Sequence, residues 1–205
     1  MDIRQRRTPA QRRSRATVAS ILDAAAQLFA RHGYHRATTN RIAERAGVSV
    51  GSLYEYFSSK DAILVALGEA HLADGRRVLR ETVGRLERAP TDLGGTIRAI
   101  VGATVRVHAI APKLHQVFYE EGLRSSRMRA LTQAVERRAM GWWERYLRSL
   151  RDIVITDPAL AAAMIVETID AMVHKVVIQG DGSIPTDRYV EEIAAFVEGY
   201  LRLQR

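Results

Sequence analysis

The 205-residue sequence predicts an all-α protein of nine helices, and two observations carry that prediction. Apolar residues recur at intervals of three and four, with no run of strict alternation that would mark a half-buried strand. The breaks are few and compact: Ala89 to Gly95, Pro112, Gly122 to Ser126, Asp157–Pro158 and Gly180 to Thr186, with long helical patterns between them. Cysteine is absent, which excludes a disulfide framework, a thiolate metal site and a cysteine nucleophile.

Taken in order, the first helix carries Val18, Ile21, Leu22, Ala25, Leu28 and Phe29 on one stripe and ends at Gly33. The second starts at Thr38 or Thr39, whose hydroxyl can accept from a first-turn amide. Its Ile42, Ala43 and Ala46 share one face, and Gly47 supplies the left-handed turn that ends it. Val48 plugs the corner and Ser49 caps a short third helix over 50–56, with Leu53 and Phe57 turned inward. Ser58 or Ser59 caps the next. Longer helices are then expected over 59–88, 92–110, 112–122, 126–152, 158–179 and 186–203.

Two helices joined by a tight glycine turn, the second short and narrow at its tip, form a helix-turn-helix. In docked units of this kind the N-terminal residues of the second helix meet base edges, which places Val50, Gly51 and Ser52 there. Tyr54 and Tyr56 offer hydroxyls to phosphate oxygens on either side of the groove. Lys60 adds a cation where the free amides of a helix start can hold a phosphate. Taken singly, Thr39 and Ser49 read as caps, and a lone tyrosine as amphipathic packing. Their joint spacing is what points to DNA.

The segment from about Leu22 to Leu64, including LFARHGYHRATTNRIAERAGVSVGSLYEYFSSKDAIL, resembles the N-terminal domain of the TetR family of transcriptional regulators. The resemblance covers about the first third of the chain. It implies a TetR-like nine-helix fold, with an N-terminal arm and helix-turn-helix domain over 1–60 and a helical ligand-binding and dimerisation domain over 61–205. By position it assigns DNA contacts to Thr39, Asn40, Val50, Gly51, Ser52, Tyr54, Tyr56 and Lys60. It further implies a repressor that a small molecule releases from a palindromic operator in double-stranded DNA. A DNA-binding regulator or architectural factor without an effector is the alternative, and an enzyme built in the helical body is a third reading. That last reading lacks a nucleophile motif, a glycine-rich phosphate loop or a paired metal-ligand signature, so no catalytic residue, cofactor or metal is assigned.

Charge agrees with a polyanionic partner. Residues 1–60 hold eleven basic side chains against four acidic ones, and so carry seven of the eight net positive charges. Arg12, Arg13 and Arg15 are the arm residues nearest the folded domain. They read either as a solvated tail or as an arm that orders on DNA. Neither a signal-like segment nor an apolar run near the ~18 residues of a membrane span is present, so a cytoplasmic protein without membrane attachment is expected.

The helix over 158–179 is apolar on more than one face and must be covered on most sides. With the stripe of Ile193, Phe196, Val197, Tyr200 and Leu201 on the last helix, it is expected to build a four-helix homodimer interface; an intramolecular core is the other use for such a face. Glu167, Asp170 and His174 share one face of that helix. With His71, His108, His115, Phe118, Trp143 and Tyr146 they form a candidate pocket lining. The commonest use of such a polar trio is a satisfied hydrogen-bond network; Asp170 and His174 also have a metal-ligand spacing, which no second such pair supports. Trp142 and Trp143 are adjacent, about 100° apart on a helix, so only one of them is expected to line any one cavity.

Overall fold

A computed structural model describes residues 12–122 and 124–203. The N-terminal arm before residue 12 and the Arg12 side chain lie outside these. Nine helices make up the described residues: α1 (Arg12–Arg36), α2 (Thr39–Ala46), α3 (Val50–Tyr56), α4 (Lys60–Arg88), α5 (Leu93–Ala109), α6 (Pro112–Gly122), α7 (Ser126–Ser149), α8 (Pro158–Gln179) and α9 (Thr186–Arg202).

The ends of these helices follow from local chemistry. α1 is interrupted at Gly33, whose φ of 73° lies in the left-handed region. Thr38 is the cap of α2, its hydroxyl accepting from the Arg41 amide at 3.3 Å. Ser49 accepts from the Ser52 amide at 3.0 Å and caps α3, and Ser59 accepts from Ala62 at 3.1 Å at the start of α4. Asp92 caps α5 through the Gly95 amide, while Asp157 caps α8 through Ala159 and Leu160, with Pro158 just inside. The sequence pattern carried α7 to residue 152. It stops at Ser149, whose hydroxyl donates to the Tyr146 carbonyl at 2.7 Å and so competes with continuation of the helix.

The chain divides into two compact units. The first holds the chain through Leu72 together with Lys113–Leu131. Its core is built around Ile21, Phe29, Ile42, Leu53, Phe57 and Ile63, with Phe118 and Met128 added from α6 and α7. Burial on this scale, at ~25 cal/mol per Å² of apolar surface, is what holds helices as short as α2 and α3, which would not persist alone.

The second unit holds Ala73–Pro112 and residues from Thr132 onward. Here α5 packs against both α8 and α9. Ile97 and Val101 meet Ile165, Ile169, Val173, Ile193, Val197 and Leu201, with Trp143 and Leu147 from α7. One face of α8 is therefore intramolecular core. Leu160, Met164 and Met172 on its other side remain exposed, as does Phe196 of α9 at 59%. Those exposed side chains account for the apolar excess that the sequence showed on this helix.

Candidate functional site

The helix-turn-helix is built as a stiff corner. Gly47, with φ 68°, closes α2, and its amide donates back to the carbonyls of Ala43 and Glu44. A glycine is required there because an L side chain costs about 1–2 kcal/mol in that conformation. Ile42, Ala43 and Leu53 are buried and hold α2 against α3, with Val48 partly buried at the turn. Because the inward face is fixed, the outward face presents a defined set of groups.

That outward face carries Asn40, Val50, Gly51 and Tyr54, all exposed, with Thr39 and Ser52 partly so. The Thr39 hydroxyl lies 3.1 Å from the Tyr54 hydroxyl, which joins α2 to α3 and brings two predicted contacts to one point. Ser52 Oγ accepts from Ser49 Oγ at 2.9 Å, leaving its own hydroxyl hydrogen to donate outward. Around Gly51 the nearest atom to an added Cβ would be Ser49 Oγ at 3.7 Å. The fold itself thus has room for a larger residue at the tip of α3.

Tyr56 and Lys60, both expected at phosphates, are placed differently. Tyr56 is only 7% exposed and packs in the first core. Its hydroxyl donates to Ser14 Oγ on α1 at 3.1 Å. The Lys60 ammonium donates to the Tyr34 carbonyl at 2.8 Å and sits 4.0 Å from the Tyr34 ring centroid. Burial pulls its pKa below the usual lysine value, with the charge of Asp61 opposing that pull. An ammonium has three donors, so the bond to Tyr34 leaves Lys60 able to meet an anion as well. Tyr34 in turn donates its hydroxyl to Asp61, and burial followed by that bond raises its pKa. Arg13 and Arg15 are exposed on the first turns of α1.

The residues proposed from sequence as a pocket lining are distributed over both units. In the first unit, ring nitrogens of His71 and His115 lie 3.0 Å apart, and the His71 ring centroid is 5.4 Å from that of Phe118. In the second, His108 Nδ1 lies 3.0 Å from the Thr104 carbonyl and its Nε2 lies 3.6 Å from Asp170 Oδ1. The His174 ring is 6.0 Å from that of His108. His174 is buried, and loss of solvation followed by the neighbouring His108 lowers its pKa. Glu167 and Asp170 are exposed, and both help to raise the pKa of Glu136, after burial as the leading cause.

The second unit contains a cavity of about 480 Å³ lined from α4, α5 and α7. Of the side chains proposed from sequence, Trp143 lines it. Trp142 lines it too, contrary to the expectation that adjacent tryptophans would diverge. The indoles pack edge to face with centroids 5.1 Å apart, and Trp142 stacks on Tyr146 at 5.5 Å, so each ring is large enough to reach one shared space. Leu79, Val83, Ile100 and Val135 complete the apolar wall, beside four arginines, Arg76, Arg80, Arg138 and Arg145. None of these arginines is among the residues singled out from the sequence. The signal available was their spacing, since Arg76 and Arg80 lie one turn apart on α4 with Leu79 and Val83 between and beyond them.

Two family profiles match the chain. Bacterial regulatory proteins of the tetR family match residues 21–67, and the tetracyclin repressor-like C-terminal domain matches residues 92–201. An uncharacterized HTH-type transcriptional regulator of Bacillus subtilis, YvkB, is 36% identical over 80 residues, which is 39% of this chain and 42% of that protein. The chain thus aligns with less than half the length of that relative. The structure of the fatty acid degradation regulator FadR from Bacillus halodurans superposes with a TM-score of 0.67 at 26% identity, covering 92% of this chain and 97% of the other. FadR from Bacillus subtilis in complex with stearoyl-CoA shares the fold at a TM-score of 0.67 and 22% identity, over 87% of this chain and 96% of that one.

Proposed function

The chain belongs to the tetR family of bacterial regulatory proteins, and from that premise we propose that it is a ligand-responsive, DNA-binding transcriptional regulator. It acts as a repressor that leaves a palindromic operator when a small molecule occupies its helical body. The observation that carries the reading is the tip of α3: Val50 and Gly51 stand exposed, and Ser52 partly so, on a helix whose opposite face is locked into the core. In this reading those three residues meet base edges, while Thr39, Asn40 and Tyr54 meet phosphates. Lys60 adds a charged contact from the start of α4. Tyr56 supports the tip through Ser14 and the core.

Two α3 helices are needed to read a palindrome. The exposed apolar side chains of α8 and α9 supply a self-complementary face for a homodimer, which would present the tips to half-sites about one DNA turn apart, ~34–36 Å. The cavity beside α4 is the proposed effector site. Its 480 Å³ and mostly apolar wall suit a small molecule, and the FadR structure bound to stearoyl-CoA supplies a relative of this fold with a ligand. Because α4 begins at Lys60 and runs to Arg88, one continuous helix carries both a DNA-facing end and cavity residues. Coupling between effector and operator of ~1–3 kcal/mol is the usual scale for such control.

The test is a mobility-shift titration against DNA flanking the protein's own coding region, beside a random duplex of equal length, at several salt concentrations. A regulator prefers its own site at every salt, and both affinities fall as salt rises. Equal affinity for the two duplexes throughout would overturn the proposal.

A further inference from the structure

The α4–α5–α7 cavity has a division of labour in its wall. Ile100 and Trp143 are buried, and Leu79, Val83, Val135 and Trp142 are half-buried. Arg80, Arg138 and Arg145 are exposed, as is Glu87, and Arg76 is half-buried among them. Among the described residues these four guanidinium groups make no ion pair, although the same unit pairs Arg77 with Asp74 and Glu81, Arg148 with Glu144, and Arg202 with Glu198. Glu87 is the single carboxylate in the lining. Four cations against one anion beside an apolar wall repel one another more strongly than they would in open water.

Resting on the reading of this cavity as the effector site, we propose that its ligand is an amphipathic organic anion, with an apolar body against the tryptophans and a carboxylate or phosphate head among Arg76, Arg80, Arg138 and Arg145. Arg76 and Arg80 are one turn apart on α4. Arg138 and Arg145 are two turns apart on α7, so each pair shares a helix face. A planar guanidinium matches both head groups through paired N–H donors, and such charge-assisted bonds are about twice as strong as neutral ones. A neutral ligand would fill the apolar space and leave the cations unmatched. A cationic one would add to their repulsion.

Both tryptophans of the chain line this cavity, so their emission reports its occupancy directly. The full-length protein is titrated with decanoate and decyl phosphate, and with decan-1-ol and decyltrimethylammonium as neutral and cationic counterparts. Both anions are expected to perturb tryptophan emission and to bind at least about tenfold more tightly than the alcohol, the scale of one charge-assisted bond. Arg80→Gln and Arg138→Gln are each expected to cut that preference by about tenfold, whereas Arg148→Gln, whose guanidinium already pairs with Glu144, leaves it unchanged. Alcohol or ammonium binding as tightly as the anions, or no response to either anion, overturns the proposal. Operator binding by the same proteins, with and without decanoate, separates the two readings. Intact DNA binding with no anion preference defeats only the ligand class, whereas anion binding that leaves the operator complex untouched supports the class and defeats the effector role.

Discussion

Gly47 shows how much of the corner rests on one residue. Its φ of 68° is open to glycine at no steric cost, and no atom lies within 4 Å of where a Cβ would stand, so the penalty of a side chain is purely one of backbone. Gly47→Ala is expected to lower stability by about 1 kcal/mol, read as a shift of the urea midpoint with an unchanged slope. His174 gives the corresponding electrostatic prediction. Its pKa lies below the ordinary 6.5 because burial and His108 disfavour its charge, while Asp170 opposes them. The unfolded chain therefore takes up the proton first as pH falls. The stability associated with neutral His174 is complete above about 6.5 and is lost as pH drops through the lowered value. Glu136, with a raised pKa, acts in the opposite direction, so the informative quantity is the difference between parent and variant. His174→Gln should lose less stability than the parent between pH 7.5 and pH 5 in urea titrations; an identical loss would contradict this.

At the scale of the element, α3 separates what folding needs from what DNA needs. Gly51 lies inside a helix with space around it, so Gly51→Ala is expected to keep or raise stability, by up to about 1 kcal/mol on helix propensity. The same change should weaken operator binding, because the added methyl stands where backbone would approach a base edge. Lost affinity accompanied by lost stability would instead mark Gly51 as structural. This element was legible in the sequence almost to the residue, since caps at Thr38 and Ser49 and the turn at Gly47 are local chemistry. Tyr56 was less legible: its hydroxyl meets Ser14, 42 residues earlier, and no local spacing announces that bond. The arginines of the cavity were hidden for a similar reason. A charge on a helix face reads as solvated until the neighbouring helices set apolar side chains beside it, and α7, which carries both tryptophans, comes in only after α6.

For the whole molecule, reading a palindrome depends on two copies held in register. The exposed Phe196 of α9 and Met172 of α8 line one groove, and in the proposed α8–α9 homodimer a charge placed there would be buried against the partner's apolar face. Phe196→Glu is expected to shift the protein toward monomer in sedimentation measurements while leaving its helical content intact, and to reduce operator affinity far more than affinity for random DNA. Unchanged mass would place the dimer contact elsewhere. Net charge fits the same arrangement, since seven of eight surplus positive charges belong to residues 1–60 and strengthen attraction to DNA without choosing a sequence. In the proposed reading, sequence choice falls to the two α3 tips. The most direct measurement is therefore selection of the full-length protein on randomised duplexes. Sequence-specific reading by a twofold dimer gives an inverted repeat whose half-sites are centred about 10–10.5 base pairs, or a multiple of that, apart. Recovered pools with no common sequence, or a single half-site without its mate, would contradict it.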